Sequence, residues 1–255
     1  MTICLAIKCQ QIKKGKKIPC VLFAADTQES SMIIKRSTTK LRLIFGETPK
    51  QGDEWSIMAA SSGDAMVVDE TLDEIGDFLY DKLKPKEETP SICLHIFRRE
   101  IGDIAYKVYK KYKDRDCENP EFELLLGAAD QFANILHVTY EGKSQLFEEF
   151  GIIGSGRVTG GELLLTEFLK KDMNVDEAAQ LATLVISVVG HVDMFVGGGP
   201  DMATCSERRV WNYEEESYRQ ILRESKSKWD LMKKSWAKMQ MDDSLERKLR
   251  KLLKK

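Results

Sequence analysis

Histidine is scarce in this chain, and cysteine is scattered. Three histidines occur (His95, His137, His191). None sits in an H-E-x-x-H spacing, which argues against a histidine-built metal site. The six cysteines, Cys4, Cys9, Cys20, Cys93, Cys117 and Cys205, form no C-x-x-C pair. They read as free thiols of a reducing cytosol rather than as a disulfide framework. Charge of one sign is missing as well: the formal net charge is −2 over 255 residues. The chain as a whole therefore carries no electrostatic case for nucleic acid or a membrane surface. No apolar run approaches the ~18–20 residues of a membrane helix. The first strand is interrupted by Lys8 and Gln10 and followed by lysines, which is not the pattern of a signal peptide. No cofactor motif is present: the glycines of G-G-G-P (197–200) lack the following lysine and helix of a phosphate cradle and read as a turn.

Enough is present to build a sizeable core, since 42% of residues are hydrophobic. Ile3, Leu5 and Ile7 alternate as in a half-buried strand. Further strands are expected at 21–27, 40–45 and 55–62, the short polar turns between them suggesting an antiparallel sheet. The period then changes. Val68, Leu72, Ile75 and Leu79 share one helical face. A second helix is expected from Leu94 to Tyr112, after the breaker KPKEETP (84–90). Strands at 122–128, 134–140 and 145–153 follow, then helices from Arg157 to Lys170 and from Val175 to about Asp193, the last with Asn174 as N-cap. Strands, two helices, strands, two helices fit an α+β fold: a four-layer α/β/β/α sandwich of two packed sheets with a helix pair on each outer side. Residues 1–210 form that domain. Residues 211–255 read as a charged helical extension, with 13 Lys and Arg against 8 Asp and Glu. Trp229, Met232, Trp236 and Met239 lie on one face of it. An amphipathic helix docked on its own or a neighbouring subunit explains that face; a handle for a partner is the alternative.

Chemistry points to the second residue. A threonine hydroxyl is a weak nucleophile and needs a base within reach. An initiator methionine before a small residue is normally removed, and Thr2 would then carry its own base, an α-amine of unperturbed pKa about 7.7–8.0. A nearby lysine would lower that pKa by like-charge repulsion.

The stretches TICLAIKC, VLFAADT, TTKLRLIFG, WSIMAASSGDA, GIIGSG (151–156) and HVDMFVGGG (191–199) occur in this order. Together they resemble the elements of proteasome β-type subunits and the related bacterial peptidase that partners an unfoldase ring, both N-terminal-nucleophile hydrolases. The resemblance implies the roles that follow. Thr2 is nucleophile and base. Asp26 fixes the charge of Lys40, and Lys40 depresses the amine pKa. The backbone N–H of Ala60 is the oxyanion donor, and Ser155 and Asp193 support the amine and its proton relay. It implies a cytoplasmic threonine peptidase acting on peptides or unfolded chains, without cofactor or metal. It further implies a homo-oligomeric ring and admits an ATP-driven unfoldase as partner. The alternatives are a catalytically silent subunit on the same fold and an amidase or peptide transferase using the same nucleophile. The sequence departs from the pattern in three places: Val196 stands where the family has a second helper serine, Gln28 where arginine is common, and the interval from Asp26 to Lys40 is short, which leaves Lys35 as the alternative lysine.

Overall fold

The computed structural model of the chain describes residues 2–30, 35–37, 39–45, 57–83, 94–207, 209–213 and 215–241. Met1, Trp55, Ser56 and Cys93, and with them the expected loss of Met1, lie outside these residues. The fold is mixed α+β. Its two larger sheets are antiparallel and five-stranded, and five α-helices accompany them among the described residues.

The first sheet grows from one hairpin. Strands β1 (Cys4–Lys13) and β2 (Lys16–Asp26) pair in register from Cys4↔Ala25 to Lys13↔Lys16. Lys14 and Gly15 close it with φ of 51° and 75°, the twist that a two-residue hairpin loop demands. β10 (Phe150–Ile153) pairs with β1, β11 (Pro200–Ser206) with β2, and β12 (Arg209–Asn212) with β11. The second sheet runs in the order β5 (Leu41–Phe45), β6 (Ile57–Gly63), β7 (Phe122–Ala129), β8 (Ala133–Thr139), β9 (Ser144–Phe147). A small hairpin, β3 (Gln28–Ser30) with β4 (Lys35–Ser37), lies between β2 and β5 in the chain.

As far as Cys9, β1 is buried on both faces, not the half-buried strand that its alternation suggested, and only its last residues, 11–13, are exposed. Ile3, Leu5 and Ile7 pack with residues of α4 (Val175–Val189) and with Leu165 of α3 (Glu162–Phe168). Cys4 and Ala6 point the other way, toward Met58, Ala60, Leu125 and Ile135 of the second sheet. Small side chains there let the sheets approach: a Cβ on Gly127 would lie 2.4 Å from the Phe23 ring. The outer face of the second sheet packs on α1 (Ala65–Lys82) and α2 (Arg98–Lys113), and Val68, Leu72, Ile75 and Leu79 are all buried in that layer. Asp64 caps α1 by accepting from the N–H groups of Met66 and Val67.

Two stretches differ from expectation. The single strand read at 145–153 is two strands on different sheets. The chain changes sheet at Glu148–Glu149, adjacent carboxylates that a buried strand could not hold without partners. The G-G-G turn leads into β11 and β12, which complete the first sheet and which no alternation announced. Beyond them α5 (Glu215–Met241) docks on α4 through buried Ile221 and through Ser225, whose hydroxyl donates to the Gln180 carbonyl at 2.9 Å. Of the expected apolar face, Trp229 is partly buried and Met232 is exposed. The side chains of Trp236 and Met239, and residues 242–255, lie outside the described set.

Asn174 forms a complete capping box at α4. It accepts from the Glu177 N–H at 2.9 Å, and the Glu177 carboxylate accepts from the Asn174 N–H at 3.0 Å. Asn174→Ala is expected to lower stability by about 1 kcal/mol in urea titration; a loss below a few tenths would show that the box is dispensable.

Candidate active site

Thr2 leads β1, and Asp26 ends the strand beside it. Antiparallel pairing brings the two together: the Asp26 N–H donates to the Ile3 carbonyl at 3.0 Å, and the Ile3 N–H donates to Asp26 Oδ1 at 2.9 Å. The Thr2 hydroxyl donates to the same Oδ1. Lys40 arrives from the other sheet, one residue before β5. Its Nζ donates to Thr2 Oγ1, to Asp26 Oδ1 at 2.7 Å and to the Gln28 carbonyl at 2.7 Å. The second Asp26 oxygen accepts from the Gly197 N–H at 3.2 Å. The Asp26 side chain is 0% exposed and that of Lys40 11%. A buried carboxylate thus has one cation and three further donors, as a charge without water requires. Lys40 is the lysine at Thr2; the side chain of Lys35 lies outside the described residues.

A second network holds the Thr2 carbonyl. It accepts from the Gly156 N–H at 3.1 Å and from Ser155 Oγ at 3.4 Å. The one Ser155 hydroxyl proton is shared with Asp193 Oδ2, the nearer acceptor at 2.9 Å. Asp193 is buried, and its Oδ1 accepts from the Phe195 N–H at 2.9 Å. Gly154 begins this loop with φ +86°, and a Cβ there would lie 2.3 Å from the Thr2 oxygen. Only glycine fits so close a backbone approach.

Five of the six site residues read from the sequence thus stand in two hydrogen-bonded networks that meet at Thr2. Ala60 is in neither of these networks. It is fully buried in the middle of β6, opposite Leu41 on one side and Leu125 on the other. The Ser61 N–H donates across to the Lys40 carbonyl at 3.2 Å. By strand alternation the Ala60 N–H then turns toward β7, away from β5.

Thr159 escaped the sequence reading. Its hydroxyl donates to Asp193 Oδ2 at 3.3 Å. Val196, by contrast, is buried in the layer against α4. The second hydroxyl on Asp193 therefore comes from the helical turn after Gly156, four residues beyond Ser155, and that i, i+4 spacing was the available signal. Gln28 ties β3 to the 191–199 loop through Nε2, which donates to the Met194 carbonyl at 3.1 Å. Cys4 neighbours the site, but burial pushes its thiol up to about 12 against the opposing influence of Lys40. It is a neutral donor to the Ser61 carbonyl at 3.2 Å, not a rival nucleophile. Among the described residues no three His, Cys, Asp or Glu side chains could hold a metal ion. No described helix is long and apolar enough to cross a membrane.

No protein-family model matches the sequence, and no curated protein does. Solved structures do match. Anbu, the "ancestral beta-subunit", from Yersinia bercovieri superposes with a TM-score of 0.69 at 16% identity, covering 92% of this chain and 97% of the other. An Anbu (Gly-1) mutant from Hyphomicrobium sp. strain MC1 gives 0.67 at 18% identity, covering 93% and 97%. A second Anbu structure from that strain gives 0.64 at 18% identity with the same coverage. These neighbours correct the resemblance read from the sequence: they are Anbu proteins, a family distinct from the proteasome β-type subunits and the unfoldase-partnered peptidase. The quoted motifs are short, and each serves a backbone feature of the fold, a strand end or a glycine turn, so they do not separate one family on it from another. What the chain shares with Anbu, at these identities, is a proteasome-like α+β fold.

Proposed function

We propose that this protein is an N-terminal-threonine peptidase, and the observation that carries the reading is the placing of the Lys40 ammonium and the Asp26 carboxylate on the Thr2 hydroxyl. The scaffold is read as the four-layer α/β/β/α sandwich of N-terminal-nucleophile hydrolases. Three apolar layers support that reading, one between the sheets and one under each helix pair. Residues 211–255 are read as an extension upon it, save that Trp211 and Asn212 belong to β12 of the first sheet.

The step needs a free amino group on Thr2. Once Met1 is cleaved, that amine takes the Oγ proton as Oγ attacks a peptide carbonyl carbon. The C–N bond breaks, the amine passes the proton to the departing nitrogen, and an ester to Thr2 remains for water to cleave. Lys40 has two effects. Its charge stabilises the developing alkoxide, and like-charge repulsion favours the neutral, basic form of the amine. Asp26 holds Lys40 in place. Ser155, Asp193 and Thr159 fix the Thr2 carbonyl and with it the strand end that carries the nucleophile. Ala60 is assigned no donor role in this register. The same reading takes peptides or unfolded chains as substrate, in the cytoplasm, with copies of the chain enclosing the sites in a ring and an ATP-driven unfoldase as an outside partner. A catalytically silent subunit is the second reading, favoured by the 4% exposure of Thr2.

Treatment with an epoxyketone or β-lactone, followed by intact mass and peptide mapping, separates the two. Expected are loss of one methionine from the chain and a label on Thr2 that disappears in Thr2→Ala. A chain that has lost Met1 and still takes no label would overturn the peptidase reading.

A further inference from the structure

The loop that grips the Thr2 carbonyl starts where β10 ends. The last pair between β1 and β10 is Cys4↔Ile153. Past it, Gly154 turns out of the ladder at φ +86°. The Gly154 N–H is then taken by a side chain from the opposite sheet. Glu123, on β7, accepts it through Oε2 at 3.2 Å. The other carboxylate oxygen faces His137 Nε2 at 3.2 Å, and Arg157 Nη1 lies 3.9 Å from it. Glu123 therefore reaches both ends of the loop: Gly154 by a hydrogen bond, Arg157 by charge. The imidazole that orients it is itself fixed, stacked on Phe147 of β9 with centroids 5.6 Å apart and planes 20° from parallel.

Glu123 is not an idle surface charge. Its side chain is 28% exposed and that of His137 12%. The hydrogen bond from His137 holds its carboxyl below the usual carboxylate range, against the opposing pull of burial and with help from the Gly154 N–H. Glu123 stays ionised near neutral pH and keeps accepting from both partners.

We propose that Glu123, oriented by His137, is a positioning residue that ties the second sheet to the Gly154–Ser155–Gly156 loop and so sets the Thr2 carbonyl, and the nucleophile with it, relative to Lys40. Thr2 leads into the first sheet, Asp26 ends a strand of it, and Lys40 leads into the second. The relative placement of the two sheets is therefore the geometry that the reacting atoms need, and Glu123 bridges them beside the nucleophile. It touches no reacting atom. Its action runs through one backbone N–H, and a displacement of about 1 Å at a catalytic group can cost ~10²-fold in rate.

The inference depends on the peptidase reading only for its kinetic arm. Amide exchange at Gly154 in the full chain tests the tether itself. Glu123→Ala is expected to speed that exchange about tenfold or more, since the amide loses its acceptor. It should also lower kcat about tenfold with KM unchanged. Glu123→Gln should recover most of both losses: its amide oxygen can accept from Gly154, and its NH₂ can donate to the other tautomer of His137. If the alanine variant fails to fold, Glu123→Met fills the volume without an acceptor and takes its place. Unchanged exchange at Gly154, a glutamine variant as impaired as alanine, or an effect on KM alone would overturn the proposal. Faster exchange in a protein whose parent turns over no peptide would sink the peptidase reading and leave the tether standing.

Discussion

Asp26→Ala is expected to lower folding stability by about 3–5 kcal/mol, the usual cost of stripping one partner from a buried ion pair. The carboxylate has no exposed surface, and Lys40 has little. Their attraction need not exceed the cost of drying both charges, so the pair is not evidence of stability as such. Its loss is costly all the same. Without Asp26, the Lys40 ammonium keeps the Thr2 hydroxyl and the Gln28 carbonyl but loses its counter-charge. The N–H groups of Ile3 and Gly197 lose their acceptor as well. Asp26→Asn keeps an acceptor oxygen and should recover part of the hydrogen bonding, but not the charge balance, and so fall between wild type and alanine. Urea titration with an unchanged m-value would measure this. A loss under 1 kcal/mol for alanine would mean that water reaches Lys40 and that the site is not the dry cluster described. On the peptidase reading turnover should fall in both variants, because Lys40 is then oriented toward Oγ by the Gln28 carbonyl alone and has lost its counter-charge.

Gly154→Ala carries the second large effect, for a different reason. At φ +86° any L side chain is strained, which by itself costs roughly 1–3 kcal/mol. The added methyl would also meet the Thr2 carbonyl oxygen at 2.3 Å and its carbon at 2.9 Å. Both are backbone atoms, not the free end of a flexible chain, so the strand end or the loop has to move. Activity is expected to fall about 10²-fold, the cost of shifting a nucleophile by roughly an ångström. Gly15 supplies the control. Its φ is also positive, at +75°, but a Cβ there meets nothing within 4 Å. Gly15→Ala should therefore show strain alone, about 1–2 kcal/mol, with turnover intact. Equal activity in the two variants would show that the close approach to Thr2 does not matter for catalysis.

Local order was readable because it is periodic. The face of α1 carries its apolar residues at helical spacing, and the Asn174–Glu177 box lies within four residues of chain. That Thr2, Asp26, Lys40, Ser155 and Asp193 are neighbours was implied only by the family resemblance of the short motifs around them, not by any local pattern. Other features had no local mark. The break at Glu148–Glu149 exists because β9 and β10 find partners on different sheets, and nothing within 145–153 specifies those partners. The apolar pattern of β11 becomes a strand only by pairing with β2, and that of β12 only by pairing with β11. Thr159, and not position 196, brings the second hydroxyl to Asp193, because only packing against α4 decides which position faces the core and which faces Asp193.

The helices with their amphipathic faces, most of the strands, the glycine turns and a threonine set to lead a strand can be read from neighbours along the chain, because propensity and periodicity act over a few residues. Which lysine meets that threonine, which hydroxyl completes the bonding of Asp193, where the Ala60 N–H points and how Glu123 reaches Gly154 depend on residues tens to hundreds of positions apart. Such pairs are chosen by sheet register and by the stacking of one sheet on the other. One residue of register turns a strand's side chains to the opposite face, so these contacts were decided only when the sheets closed on each other.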